Sequence, residues 1–246
     1  AQVVSPTRQG MSLKRILVPT TSAADWRRLL AQPDLHWKPG RSAMTLAACW
    51  EAAYPEFPPE VRQTLQSAGD PKLTRLRLLA AIPEYQVDLP GGETASQTDL
   101  LVLATNQEGL VVIAIEGKVD EEFGPTLGTK RKNPSPGQKS RLDFLHRTLG
   151  LTAPAPDSIR YQLLHRASSA ALVAQDFHAQ TAVMLVHSFS ATHRWYDDFA
   201  AFQALLAGPV DRGRVTRART ISQPSLSLGW CSGDLSFTKV EVTVAG

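Results

Sequence analysis

The chain has 246 residues, of which 43% are hydrophobic and 20% charged, which suffices for a folded core and excludes a wholly disordered chain. Its longest apolar runs, such as residues 109–115 and 181–186, fall far short of the roughly 20 residues that span a bilayer, so no membrane span is expected. The net charge of +3 permits a polyanionic partner without requiring one.

The two cysteines, Cys49 and Cys231, are too few for a disulfide framework or a cysteine-based zinc site. The first ten residues contain no apolar stretch of the signal-peptide kind. Both observations favour a reducing compartment, and we expect a cytoplasmic location.

The first part of the chain predicts helices. Residues 22–31 and 58–69 each indicate a short helix. Between them, residues 43–54 predict a longer helix with Ser42 as its N-cap. Glu51 shares one face of that helix with apolar residues at spacings of three and four, so its carboxylate is expected to point inward.

The next segments predict strands. Residues 76–89 indicate a strand that is interrupted near Pro83 and closed by the turn sequence PGG. Residues 98–104 and 109–119 are apolar and β-branched and are joined by the turn-rich TNQE. This arrangement is typical of a buried antiparallel pair.

Prolines punctuate residues 120–157, which we interpret as an insertion over the core with one helix at about 137–149. The strongest helical pattern of the chain and a buried strand follow it, at residues 159–175 and 181–189. The remaining predicted elements are a helix at 195–206 and strands at 225–231 and 235–244.

The order helix, three strands, helix, strand predicts an α/β fold in which helices flank a mixed sheet. We assign residues 42–189 to the core, including the insertion at about 120–157. Residues 1–41 form an N-terminal extension with a short helix, and residues 190–246 form a C-terminal helix and strands packed on the core.

Two opposite charges interrupt the apolar pattern of the strand at 109–119. Side chains alternate between the faces of a strand, so Glu116 and Lys118 follow Val112 and Ala114 on one face. A buried carboxylate and ammonium are costly unless they pair with each other, a metal or a ligand. This pattern therefore indicates a functional or structural ion pair.

Hairpin pairing through TNQE brings Asp99 to the edge of the sheet that carries Glu116. Two carboxylates and the carbonyl of Gly117 are hard oxygen ligands, and no cluster of histidines and cysteines competes with them. The implied metal is Mg²⁺ or Mn²⁺.

Asp99, followed after one hairpin turn by Glu116-Gly117-Lys118, resembles the PD-(D/E)XK nuclease superfamily, which has a restriction-endonuclease-like fold. Thr98 stands where that family has a proline. The resemblance covers about residues 42–189. It implies that Asp99 and Glu116 bind a divalent ion and that Lys118 positions or helps deprotonate the attacking water. The stretches ASQTDLLVLA and RYQLLHRASSA also resemble a little-characterised bacterial family within this superfamily.

The resemblance extends to Glu51, as a metal-assisting residue on the first core helix, and to Gln162 with Arg166. The i,i+4 spacing puts Gln162 and Arg166 on one helical face, where they could orient phosphate or hold a catalytic carboxylate. Further candidates for phosphate contacts are Tyr161, Lys130, Arg131 and Lys132.

These residues together imply a Mg²⁺- or Mn²⁺-dependent endonuclease that acts on nucleic acid, with DNA as the expected substrate. A homodimer would suit the cutting of two strands. The alternative is an inactive nuclease-fold module that binds nucleic acid or protein. In that case Glu116 and Lys118 form only a structural ion pair.

Overall fold

The computed structural model describes residues 17–92 and 94–243, and its six strands form one mixed sheet. The strand order is β1-β2-β3-β4-β6-β5. Strands β1 to β3 are antiparallel neighbours, β3, β4 and β6 run parallel, and β5 is antiparallel to β6. The strands are β1 (Arg77–Val87), β2 (Ser96–Asn106), β3 (Gly109–Lys118), β4 (Thr181–Ser188), β5 (Thr216–Arg217) and β6 (Ser225–Ser232). The predicted α/β class with a mixed sheet and flanking helices is confirmed.

Seven α-helices and three 3₁₀ segments are found among the described residues. The helices are α1 (Pro33–His36), α2 (Ser42–Ala53), α3 (Pro59–Gln66), α4 (Leu127–Arg131), α5 (Pro136–Thr148), α6 (Tyr161–Asp176) and α7 (Tyr196–Ala207). The 3₁₀ segments are Ala23–Leu29, Pro71–Leu73 and Leu235–Lys239. None of the helices within the described ranges is long and apolar enough to cross a membrane.

The sheet separates two apolar cores because side chains alternate along each strand. Val112 and Ala114 of β3 pack in one core with α5, α6 and α7, whereas Ile113 and Ile115 pack in the other core with α2 and α3. Strand β4 is buried along its whole length, as expected for a strand with parallel neighbours and helices on both faces.

Residues 120–157 contribute to the first of these cores. Phe123, Leu127 and Leu145 are fully buried there, and α5 packs against α6. Helix α5 begins with a capping box: the Ser135 hydroxyl accepts from the amide of Gln138, and the Gln138 side chain accepts from the amide of Ser135.

Several local predictions were wrong. Strand β1 continues through Pro83, which pairs with Leu100, because β1 lies at the edge of the sheet, where a missing amide hydrogen is tolerated. Ser42 is the first residue of α2 and not its cap. The first half of the predicted strand at 235–244 is a 3₁₀ segment whose first turn is capped by the Asp234 carboxylate, residues 240–243 form no strand, and Val244 lies outside the described residues.

Candidate functional site

Carboxylates gather in a cleft of about 530 Å³ at the end of β3 and the beginning of β2. Helix α6 forms one wall, and the start of α2 with the segment after β3 forms another. Asp99, Glu116 and Lys118 all line the cleft, as do Gln162 and Arg166 of α6. The structure thus brings together five of the residues that the sequence indicated.

Glu116 is the most enclosed carboxylate of the cleft, with 1% of its surface exposed. Its Oε1 accepts hydrogen bonds from Lys118 Nζ at 2.8 Å and Gln162 Nε2 at 2.7 Å, and its Oε2 accepts one from Arg166 Nε at 2.5 Å. Burial alone would raise the pKa of Glu116, but the positive charges of Arg166 and Lys118 outweigh it and lower this pKa to about 2. Glu116 is therefore ionised.

Asp99 lies beside this pair. The strand register ends at Leu100 opposite Ile115, so one further step places Asp99 opposite Glu116. Its Oδ2 accepts from the amide of Gly117 at 2.9 Å, while its Oδ1 is 3.7 Å from Arg166 Nη2, beyond hydrogen-bond distance. Burial, followed by repulsion from Glu116, raises the pKa of Asp99 to about 7.

Glu84 is a third carboxylate of the cleft, and the sequence reasoning missed it. Strand β1 pairs Pro83 with Leu100 and Tyr85 with Thr98, so Glu84 lies opposite Asp99. Its backbone has φ of +54°, a left-handed conformation that is costly for a glutamate and that clusters at functional sites. Burial and the charge of Asp99 raise its pKa to about 9. The signal in the sequence was one acidic residue in a predicted strand, at the position facing Asp99.

Glu84, Asp99 and Glu116 consequently form a row across three adjacent strands, which we call the carboxylate row. Two buried cations, Lys118 and Arg166, face this row. Because three carboxylates face two buried cations, the charge of the row is offset when a carboxyl group holds a proton or when a further cation binds. The raised pKa values of Asp99 and Glu84 indicate that bound protons offset this charge when no further cation is present.

Glu51 does not join the carboxylate row. Its Oε1 accepts hydrogen bonds from Thr20 Oγ1 and Trp26 Nε1, both at 2.7 Å. The residues of α2 that line the cleft are Ser42, Ala43 and Leu46, and Leu46 packs on Gly117. Glu51 is five positions after Leu46, which corresponds to a rotation of about 140° around the helix axis, so Glu51 points elsewhere. The expected metal-assisting role of Glu51 has no support in this geometry.

Glu121 also borders the cleft, but its oxygens are engaged. Oε1 accepts from the amide of Ser42 and Oε2 from the amide of Val119, both at 2.9 Å. Burial would raise the pKa of Glu121, but these backbone hydrogen bonds lower it overall. Glu121 thus ties the start of α2 to the end of β3 and leaves the carboxylate row to the three residues named above.

The residues predicted to contact phosphate lie at different positions relative to the cleft. Lys130 lines the cleft with its Nζ 5.0 Å from the ring centroid of Tyr161. Arg131 donates to the carbonyl of Ala155 and to the carboxylate of Asp157, which fixes the segment between β3 and α6. Lys132 is exposed beyond the end of α4. Of the three basic residues, Lys130 is the one that lines the cleft.

A second group of side chains, Cys49, Glu60 and His187, lies on the other face of the sheet with its ligand atoms within 4.8 Å of one another. The indole of Trp50 can only donate, so His187 Nδ1 accepts from it at 3.3 Å. Nε2 of the neutral ring then carries the proton and faces Glu60 at 3.2 Å. Burial lowers the pKa of His187 and raises that of the Cys49 thiol. A protonated Nε2 and a protonated thiol are poor metal ligands, so we interpret this group as a packed polar cluster.

Together, the fold and the cleft define an α/β protein with a carboxylate-rich cleft at one end of its antiparallel strands. The chain belongs to the family described as "Domain of unknown function (DUF6946)", whose model matches residues 19–235. No curated protein and no solved structure matches the chain.

Proposed function

We propose that this protein is a metal-dependent nuclease of the PD-(D/E)XK type that hydrolyses phosphodiester bonds in DNA. The chain order α2, three antiparallel strands, α6 and a strand parallel to β3 supports a restriction-endonuclease-like core. Asp99 near the start of β2 and Glu116-Gly117-Lys118 at the end of β3 occupy the positions at which that superfamily carries its motif.

The observation that carries the proposal is the carboxylate row itself, because an arriving cation can displace the protons that Asp99 and Glu84 hold. Asp99 Oδ1 makes no hydrogen bond in the described structure, and Glu116 Oε2 accepts only one of the two bonds that it can accept. Both oxygens are therefore able to take a further ligand. An all-oxygen donor set of this kind fits Mg²⁺ or Mn²⁺.

Asp99, Glu116, Glu84 and the carbonyl of Gly117 would hold the ion. When bound, the ion would supply Lewis-acid polarisation of a phosphate oxygen and a lowered pKa for a bound water. Gln162 and Arg166 hold Glu116 in place from α6, so the carboxylate is oriented before any ligand arrives.

Lys118 has the position of a water-aligning and charge-stabilising group. Its Nζ lies 2.8 Å from Glu116 Oε1 and 5.1 Å from the ring centroid of Phe123, and the side chain is 6% exposed. An ammonium held in this way can donate to an attacking water and to the negative charge that develops on the phosphate. Lys130 at the edge of the cleft offers a contact to a neighbouring phosphate.

A specific observation favours a second candidate, an inactive module of the same fold that binds nucleic acid or protein. Three donors from Lys118, Gln162 and Arg166 already hold Glu116, and a purely structural ion network has this arrangement. Such a module would bind its partner equally well with and without metal and would cleave nothing.

Cleavage of a panel of single- and double-stranded DNA and RNA with Mg²⁺ or Mn²⁺, against EDTA, tests the proposal. The wild type is compared with Lys118→Ala and with Lys38→Ala, which removes an exposed lysine outside the cleft. We expect metal-dependent cutting of DNA in the wild type and Lys38→Ala, and a loss of at least 100-fold in Lys118→Ala, because oriented donors of this kind contribute about that much. Equal cutting by wild type and Lys118→Ala would refute the assignment.

A further inference from the structure

A separate cavity of about 440 Å³ adjoins the cleft and is not needed to hold a metal ion. It lies between the turn after β1, the N-terminal part of α5 and the first turns of α6. Ala95, Lys130, Tyr161 and His165 line both the cavity and the cleft, so the two spaces are neighbours. A molecule could therefore occupy both at once.

One wall of the cavity is aromatic. The rings of Tyr161 and His165 lie 4.9 Å apart between centroids, and Lys130 Nζ is 5.0 Å from the Tyr161 ring. Burial lowers the pKa of His165 well below its usual range, so its ring adds no charge. Leu89 and Leu142 supply apolar surface to the same cavity. A cavity lined by flat rings and aliphatic side chains is suited to a planar, uncharged group.

The remaining polar groups make the cavity rigid. Arg141 donates to the carbonyls of Leu89, Pro90 and Gly92, so its guanidinium is already used in holding the turn. The Ser135 hydroxyl is likewise engaged in capping α5. The cation at the boundary with the cleft is Lys130, so an anionic group is favoured there and an uncharged group deeper inside.

We infer that this cavity receives an unstacked nucleobase from the nucleotide next to the scissile phosphate, with its ring on Tyr161 and its phosphate near Lys130. This inference rests on the proposed nuclease function and deepens it by naming the substrate class. A base paired in a regular duplex is stacked between its neighbours and cannot enter such a cavity. The substrate is consequently a single strand, or a duplex at a mismatch or bulge where a base leaves the stack easily.

Fluorescence of 2-aminopurine, an adenine analogue, tests the inference without any cleavage step. The full chain in EDTA is titrated with a single-stranded DNA, a fully paired duplex and a duplex with one bulged base, each carrying 2-aminopurine at the relevant position. We expect quenching with the single strand and the bulge and none with the paired duplex, because quenching requires the probe base to stack on the aromatic wall.

Matched variants assign the quenching to this cavity. Tyr161→Ala should abolish it and weaken binding about 5- to 150-fold, the equivalent of the roughly 1–3 kcal/mol that one stacked base contributes. Tyr161→Phe and Tyr54→Ala should retain it, since the first keeps the ring and the second removes an exposed tyrosine. Thr94→Leu, which narrows the cavity, should weaken quenching, and Thr152→Leu, outside it, should not. A thermal melt of each variant establishes that it is folded.

Quenching by the paired duplex equal to that by the single strand, or quenching that survives Tyr161→Ala, would overturn the inference. The result is independent of catalysis. If no metal supports cleavage but the expected quenching pattern is found, the cavity binds a base and the nuclease proposal fails. If metal-dependent cleavage occurs without Tyr161-dependent quenching, the nuclease proposal stands and the base-binding cavity is rejected.

Discussion

Protons offset the charge of the carboxylate row in the metal-free protein, and the proposed cation would compete with them. Glu116 is held ionised by Arg166 and Lys118, whereas Asp99 and Glu84 have raised pKa values because they are buried and adjacent to other carboxylates. A divalent ion and protons are alternative ways to offset the same negative charge. Substitution of a single residue of this row should therefore change the metal affinity in the absence of substrate.

Glu84→Gln and Glu51→Gln test which of these two glutamates contributes to metal binding. Glu84 is part of the carboxylate row, and Glu51 is bonded to Thr20 and Trp26. We expect Glu84→Gln to weaken Mn²⁺ binding by on the order of 10-fold or more and Glu51→Gln to leave it unchanged. Isothermal titration with Mn²⁺ measures both. The reverse ranking would place the metal near α2 and remove Glu84 from the site.

Metal binding should tighten as the pH rises. Asp99 has a pKa raised to about 7, mainly by burial and then by Glu116, so below that pH its carboxyl is protonated and an ion must displace the proton. Mn²⁺ affinity should therefore rise by up to about a hundredfold per pH unit between pH 5.5 and 7, where an ion displaces protons from both Asp99 and Glu84, and by up to about tenfold per unit from pH 7 to 9, where Glu84 alone is still protonated. Asp99→Asn should bind more weakly, and its slope below pH 7 should fall to the roughly tenfold per unit that Glu84 alone contributes. A slope unchanged by the substitution would assign the proton to another group.

Helix α6 is the element that organises the cleft. It packs on β3 and β4 through buried alanines and leucines, and its first turns deliver Gln162 and Arg166 to Glu116. Arg166 is 7% exposed, and it also donates to Ser96 Oγ at 3.1 Å. One side chain thus links α6 with β2 and β3, so its contribution should appear in the stability of the whole fold.

Arg166→Ala should lower the free energy of unfolding by about 3–5 kcal/mol, because it leaves the buried Glu116 without its main counter-charge. Arg166→Lys should lose less, since it keeps the charge but not the forked geometry. Arg147→Ala, at an exposed position of α5, is the control and should remain within about 0.5 kcal/mol of wild type. Urea denaturation followed by circular dichroism measures all three. A wild-type midpoint for Arg166→Ala would show that the network adds no net stability.

The whole molecule is one sheet with a core on each face, completed by the last strands of the chain. Strand β6 lies between β4 and β5, its residues 225–231 are buried, and Trp230 packs with Phe123, Tyr196 and Phe199. Strand β4 therefore depends on β6 for its hydrogen bonds along one edge. The site on β2 and β3 is thus linked to the end of the chain through the sheet.

A chain truncated after Arg214 should fail to fold cooperatively. The truncation removes β5 and β6, exposes the apolar edge of β4 and leaves both cores open on one side. We expect aggregation, or a broad thermal transition in place of the sharp transition of the full chain. Size-exclusion chromatography and a circular dichroism melt test this. A monomeric truncated chain with a sharp transition would mean that residues 17–214 form an independent unit.

The sequence by itself determined the features that depend on short-range patterns. The β2–β3 hairpin follows from two apolar runs and the turn between them, and a hairpin register is local, so the nearness of Asp99 to Glu116 and Lys118 could be predicted. The helical periodicity of the α6 sequence likewise predicted that Gln162 and Arg166 lie on one face of the helix. The mixed sheet followed from the order of helices and strands.

Only the tertiary structure decided which other carboxylate joins Asp99 and Glu116. Glu84 enters through the register of β1 and a left-handed backbone, and Glu51 is turned away because the packing of Leu46 on Gly117 sets the rotation of α2. The insertion of β6 beside β4 pairs residues 44 positions apart, Thr181 with Ser225. The rotation of a helix and the pairing of distant strands depend on many packing contacts between residues that are far apart in the sequence. A local sequence pattern therefore cannot predict them.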